Sequence, residues 1–75
     1  MNKYRYSAIE VLKTEKKPLH YKDITRLALE RGLLETEGAT PDASMNSQII
    51  IDIKHKGVKS DFIKTDPSTY ALNPD

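Results

Sequence analysis

Four polar side chains close together in the sequence have the chemistry to bond to DNA base edges: Ser44, Asn46, Ser47 and Gln48. Asn and Gln can form a two-pronged pair with adenine, and Ser can bond to several base edges. The basic residues that follow could pair with phosphates, and they are Lys54, His55, Lys56, Lys59 and Lys64. Base-reading groups next to phosphate-holding cations suit a helix in a DNA major groove. The alternative is an ordinary polar outer face, which most helices have.

The stretch that carries the base-reading residues has the signals of a single helix with caps. Thr40 is a candidate N-cap, and Pro41 suits the first helical position because its missing N–H would be unpaired there anyway. Asp42 lies in the first turn and basic residues lie in the last turn, as the helix dipole favours. Gly57 can adopt the left-handed conformation that ends a helix. We therefore predict a helix over residues 40–56.

This predicted helix has two different faces. Met45, Ile49 and Ile53 recur at the four-residue spacing of a buried stripe, with Ile50 one step round. The opposite side carries Ser44, Ser47, Gln48 and Ile51, with Lys54 and His55 below them. Ile51 could contact the methyl group of thymine or of a methylated base, belong to a protein-binding patch, or be one scattered exposed apolar side chain.

The rest of the chain predicts two earlier helices and three short strands. Residues 4–17 form the first helix, or it begins at Ser7 as N-cap with Glu10 at the capping-box position. Residues 19–21 have room for a short strand, and residues 22–31 form a second helix that Gly32 ends, after which two leucines could fold back on its apolar stripe. Residues 35–39 are polar and turn-like. Residues 62–65 and 69–72 are strands on either side of a proline turn, and residues 19–21 would pair with this hairpin.

The order of these elements is α-β-α-α-β-β, which is that of a winged helix. The predicted fold class is α+β: a small winged helix-turn-helix domain with three helices and a short three-stranded sheet. Tyr21 and Lys22 begin the second helix, which commonly crosses the DNA backbone, although Tyr21 could equally be a core or strand residue. Thr40 and the N–H groups at the start of the third helix could hold a phosphate, or Thr40 could be a cap only. Ser60 lies in the connector to the hairpin and completes the candidate contacts.

The composition limits the chain to one domain, residues 1–75, with no metal site or cofactor expected. There is no cysteine, and His20 and His55 lack ligand-like spacing. No apolar run approaches membrane-spanning length, so we expect no membrane partner and an intracellular location. That location would be cytoplasmic, on the nucleoid in a bacterium or in the nucleus of a eukaryote.

The net charge of +1 hides an uneven distribution. Residues 1–31 carry eight Lys or Arg against four acids, residues 32–53 carry four acids and no Lys or Arg, and residues 54–64 carry four Lys against one acid. Such segregation can create a basic surface on a nearly neutral domain, or it can be an ordinary mixed surface.

The acidic residues do not suggest an enzyme. Asp23, Asp42, Asp52 and Asp61 fall in different elements, without a nucleophile, a glycine-rich phosphate loop or a metal motif. Asp42 is better explained as a first-turn acid and Asp52 as an acid on the helix surface. Any nuclease activity would lie in a separate domain.

The chain resembles the HARE helix-turn-helix domain, a winged-helix family found in chromatin proteins and beside bacterial restriction endonucleases. The resemblance covers nearly the whole chain in order. The matching segments are 7–12 (SAIEVL), 18–24 (PLHYKDI), 38–45 (GATPDASM), 52–54 (DIK) with 56–57 (KG), 60–62 (SDF) and 70–72 (YAL). The resemblance implies DNA binding as an accessory module, with a suspected role in sensing modified DNA where the family accompanies restriction enzymes. One departure is the run Ile49, Ile50 and Ile51, where the family usually has an aromatic or polar residue.

Two functions fit these observations. The first is a monomeric DNA-binding module, with the third helix in the major groove of double-stranded DNA and the hairpin lysines and Lys22 on phosphates. It would be an accessory domain of a restriction or chromatin protein, and a nuclease or another protein domain could be its partner. The second is a protein-docking module of a transcription or DNA-processing complex. An exposed apolar patch around Ile51, Leu33 or Leu34 would favour it.

Overall fold

The computed structural model describes residues 3–36 and 40–74. Its elements are α1 (Lys3–Glu15), β1 (Leu19–His20), α2 (Tyr21–Glu30), α3 (Pro41–Lys56), a 3-10 turn (Gly57–Lys59), β2 (Phe62–Asp66) and β3 (Thr69–Leu72). The predicted α+β order is confirmed. The predicted turn at Glu37, Gly38 and Ala39 lies outside the described residues.

The first helix begins earlier than one of the two predicted starts. It already includes Lys3, so Ser7 is an interior residue and the prediction of Ser7 as N-cap is wrong. The Ser7 hydroxyl instead donates to the carbonyl of Tyr4, one turn back, and the residue is buried. The helix ends at Glu15, two residues before the predicted end, and Lys16 follows with φ of 58°.

The second helix is capped by residues at both ends. His20 Nδ1 accepts from the backbone N–H of Lys22 at 3.1 Å, which makes a histidine ring the N-cap. At the other end Gly32 has φ of 69°. The N–H groups of Leu33 and Leu34 both donate to the carbonyl of Ala28, and Leu34 is buried, so the predicted fold-back of these leucines is confirmed.

The three strands form one antiparallel sheet in the order β1-β3-β2. Leu19 pairs with Tyr70, and Phe62 pairs with Leu72, which confirms that the short early strand joins the hairpin. Tyr21 begins α2 instead of extending β1, and its N–H donates to the carbonyl of Ser68 in the hairpin turn. The hairpin, which we call the wing, is thus held by backbone bonds to the start of α2 as well as to β1.

One hydrophobic core joins the three helices to the sheet. Val11 and Leu12 of α1, Ile24 and Ala28 of α2, Met45 and Ile49 of α3, and Phe62 and Tyr70 of the wing are all buried in it. Ile50 and Ile53 pack against its edge, so the predicted apolar stripe of α3 is correct. Among the described residues, no helix combines the length and the apolarity needed to cross a bilayer.

Candidate nucleic-acid interface

The third helix has the predicted bounds but a different N-terminal cap. Thr40 occupies the N-cap position and Pro41 the first turn, yet the Thr40 side chain makes no capping hydrogen bond. At the other end Gly57 has φ of 54°, and its N–H donates to the carbonyl of Ile53. The prediction of Thr40 as a side-chain cap is therefore wrong, while the prediction that a positive-φ glycine ends the helix is confirmed.

The side of α3 opposite the core is formed by residues at helical spacing. Ser47 is exposed, and Ser44 and Gln48 are half-buried beside it. Ile51 is 47% exposed, so one of the three consecutive isoleucines does point away from the core. Lys54 and His55 continue this face toward the C-terminus and are exposed. We call Ser44, Ser47, Gln48, Ile51, Lys54 and His55 the outer face of α3.

Asn46 lies between this outer face and the wing, and Tyr70 holds its amide. The Tyr70 hydroxyl donates to Asn46 Oδ1 at 2.7 Å. Burial, with a smaller contribution from Tyr21, raises the pKa of Tyr70 above its ordinary value of 10.0, so the phenol stays protonated as the donor. This bond occupies the acceptor half of the amide, which a two-pronged pair with adenine would need. No local signal in the sequence connects Tyr70 with Asn46.

Asp52 is a buried acid, not the surface acid that we predicted. It is 7% exposed, and its carboxylate accepts from Ser60 Oγ at 2.5 Å and from Arg5 Nε at 3.2 Å. Lys56 Nζ lies 3.1 Å from the same carboxylate. Burial raises the pKa of Asp52, but the bonds from Ser60, Lys56 and Arg5 together outweigh burial and leave that pKa below its ordinary value.

The predicted basic residues therefore differ in how they are engaged. Lys56 is bound to Asp52, and Ser60 is 2% exposed with its hydroxyl on the same acid. Lys54, Lys59 and Lys64 are exposed and have no ion pair within residues 3–36 and 40–74. These three unneutralised cations lie on the outer face, at the 3-10 turn and on β2.

A groove of about 360 Å³ separates α3 from the wing. Ile50, Ile53 and Tyr70 line its interior, and Lys54 and Lys64 line it from opposite sides. The structure thus brings a lysine of the outer face and the wing lysine to one groove. Such a groove can hold an anionic chain whose apolar part rests on the isoleucines.

Tyr21 and Lys22 begin α2, on a different element from the outer face. The Tyr21 ring is half-buried and stacks on His20 with ring centroids 4.6 Å apart. Lys22 is exposed. Tyr21 therefore has a packing role, while the Lys22 ammonium is the group at this helix start that can meet a phosphate. Within the described ranges, no three His, Asp or Glu side chains are grouped so that they could hold a metal ion.

A comparison with protein families gives a match over almost the whole chain. The model of the HARE-HTH family, described as a helix-turn-helix domain of ASXL and restriction endonuclease proteins among others, matches residues 4–73. No curated protein and no solved structure matches the chain.

Proposed function

Because the chain belongs to the HARE-HTH family, we propose that it binds double-stranded DNA with the outer face of α3 in the major groove. A helix-turn-helix family indicates a DNA-binding module, not a catalytic domain. The observation that carries the proposal is the make-up of that face: short hydrogen-bonding side chains in its first half and exposed cations in its second. A helix of this kind places base-reading groups deep in the groove and its cations near the backbone.

Sequence preference would come from a few side chains of the outer face. Ser44, Ser47 and Gln48 are the candidates for bonds to base edges. Asn46 would contribute only N–H donors, because Tyr70 occupies its Oδ1. Ile51 is the candidate for contact with the methyl group of thymine or of a methylated base, which would allow the domain to sense modified DNA.

Affinity would come from phosphate contacts around this face. Lys54 and Lys64 flank the groove beside α3, and Lys59 and Lys22 lie at other exposed points. His55, Thr40 and Tyr21 are further candidates at the edges of the interface. Lys56 and Ser60 are better explained as partners of Asp52, so we propose for them a role in supporting the wing.

The proposal assigns the chain a supporting role beside a larger activity. A monomeric domain of this kind would direct a restriction or chromatin protein to its DNA, and any nuclease would be a separate domain. A cytoplasmic location, on the nucleoid or in the nucleus according to the organism, goes with this role.

Two substitutions separate base reading from phosphate holding. Gln48→Ala should change the preference among duplexes of different sequence, whereas Lys54→Ala should weaken binding to all of them alike. Lys13→Ala is the matched control, since Lys13 is an exposed lysine on α1. Competition binding with a small panel of duplexes measures all three. If neither Gln48→Ala nor Lys54→Ala differs from the control, the docking of α3 is wrong.

Protein docking is the second candidate function, but not through the patch that the sequence suggested. Leu34 is buried and Leu33 packs against the core, so Ile51 is the exposed member of that set. The most exposed large apolar side chain of the described residues is instead Val58, at 89%, in the 3-10 turn before the wing. Docking through Ile51 would be lost on Ile51→Ser without loss of DNA affinity, which distinguishes the two candidates.

A further inference from the structure

A second groove, of about 320 Å³, lies between the end of α1 and β3. Pro18, Ala71 and Leu72 give it an apolar floor. Lys13, Lys16 and Lys17 line its rim. None of its lining residues belongs to α2, α3 or β2, so it is separate from the outer face of α3 and from the groove beside the wing.

The rim of this groove is strongly positive. Its three lysines are exposed, and none of them has an ion pair within the part of the chain that the structure describes. Glu15, the nearest acid in the sequence, does not neutralise them because Arg31 holds it at 2.6 Å. The same bond lowers the pKa of Glu15, which therefore stays ionised and committed to Arg31.

Lys16 occupies a backbone position at which glycine is usual. Its φ is 58°, in the left-handed region that side chains with a Cβ disfavour, and its N–H donates to the carbonyl of Leu12 to end α1. Attraction to the helix dipole explains why cations are favoured here. It does not explain why three of them surround an apolar groove.

We propose that this groove binds an acidic segment of a partner protein that carries an apolar side chain between its carboxylates. The carboxylates pair with the three ammonium groups, and the apolar side chain covers Pro18, Ala71 and Leu72. Duplex DNA fits the groove less well, because a duplex presents phosphates along a stiff rod and has no side chain to fill an apolar floor. The proposal does not depend on DNA binding by α3.

The test is a titration of the whole chain with a synthetic peptide in which one leucine lies between aspartates and glutamates. Binding is followed by fluorescence anisotropy of the labelled peptide, and its position by amide shifts of ¹⁵N-labelled protein. We expect saturable binding tighter than about 1 mM at low salt. The amides of Lys13, Lys16, Lys17, Ala71 and Leu72 should shift. A second peptide with Ser in place of Leu should bind about fivefold more weakly, since it cannot cover the floor.

Charge variants locate the site. The double variant Lys13→Glu with Lys17→Glu should weaken peptide binding about tenfold and leave DNA affinity unchanged. Lys22→Glu, a lysine reversal on α2, should do the opposite and serves as the matched control. Lys16→Gly should weaken peptide binding about threefold without loss of folding, because glycine suits the backbone there.

Three outcomes would overturn the proposal. The first is absence of saturation below about 1 mM peptide. The second is a set of shifts centred on Lys54 and Lys64 instead of the α1 end. The third is displacement of the peptide by a short duplex with simultaneous shifts at Lys13 and Lys17, which would make the groove a nucleic-acid site. Failure of DNA binding by α3 would leave the peptide result unaffected, so the two proposals fail separately.

Discussion

The Ser60 hydroxyl donates a 2.5 Å hydrogen bond to Asp52, eight residues earlier in the chain. The same hydroxyl accepts from the N–H of Phe62 at 3.1 Å, so the bond joins α3 to the first residue of β2. Arg5 of α1 contacts Asp52 as well, and it also pairs with Asp61. Asp52 therefore connects the helix that we propose reads DNA with both the wing and the first helix.

We expect Asp52→Asn to lower the free energy of unfolding at pH 7 by about 2 kcal/mol, because it weakens charge-assisted hydrogen bonds. The pKa of Asp52 lies below its ordinary value of 3.8 in the folded chain. Its stabilisation is therefore present above that value and is lost as the pH falls through the lower, folded-state pKa. Urea unfolding at a series of pH values measures both effects.

The matched control for this change is Asp61→Asn. Asp61 also pairs with Arg5 but is far more exposed, so its loss should cost less than about 1 kcal/mol. Equal losses from the two substitutions, or an unchanged acid dependence in Asp52→Asn, would contradict the role assigned to Asp52.

Lys16→Gly should raise the free energy of unfolding by about 1 kcal/mol, because glycine adopts positive φ without the steric cost that lysine has. Lys17→Gly is the control, since Lys17 is not among the described residues with positive φ. It should destabilise by roughly 0.5 kcal/mol through the entropy of the unfolded chain. Urea denaturation of the two variants would reject the strained conformation if Lys16→Gly were also destabilised.

The unneutralised lysines should contribute more to the salt dependence of DNA binding than the paired one. Lys54→Ala and Lys64→Ala should each reduce the slope of log K against log salt by about 0.9. Lys56→Ala should reduce it by less, because Lys56 is bound to Asp52. Titrations at several salt concentrations give these slopes, and a larger effect for Lys56 than for Lys64 would reverse this assignment.

Tyr70→Phe tests whether a wing residue orients Asn46. The loss of the 2.7 Å bond should weaken DNA binding about threefold, because the amide becomes free to rotate. Asn46→Ala should have a similar effect, and the double variant should add little, since both changes remove one interaction. Additive losses in this double-mutant cycle would show that the two residues act independently.

Local sequence signals predicted most of the fold. Pro41 and Gly57 bound α3 as predicted, and the four-residue spacing of Met45, Ile49 and Ile53 identified its buried side. The proline turn and the aromatic strands predicted the wing. These features depend on neighbours within a few residues, which a single sequence contains.

What the sequence did not predict depends on contacts between distant residues. The burial of Asp52 has no local signal, because its partner Arg5 lies 47 residues away. Tyr70 and Asn46 are 24 residues apart, and nothing local connects them. His20 was missed as a cap because ring nitrogens are not among the usual N-cap groups. The extent of the domain and the DNA contacts themselves stay predictions.

The most direct test of the central claim is fluorescence anisotropy of labelled duplexes titrated with the chain. The duplexes should be unmodified, adenine-methylated and cytosine-methylated, each at several salt concentrations. We predict binding that weakens linearly in log K against log salt, with one duplex clearly preferred and that preference lost in Gln48→Ala. Binding without any preference would contradict base reading by α3, and no binding at low salt would contradict DNA as the partner.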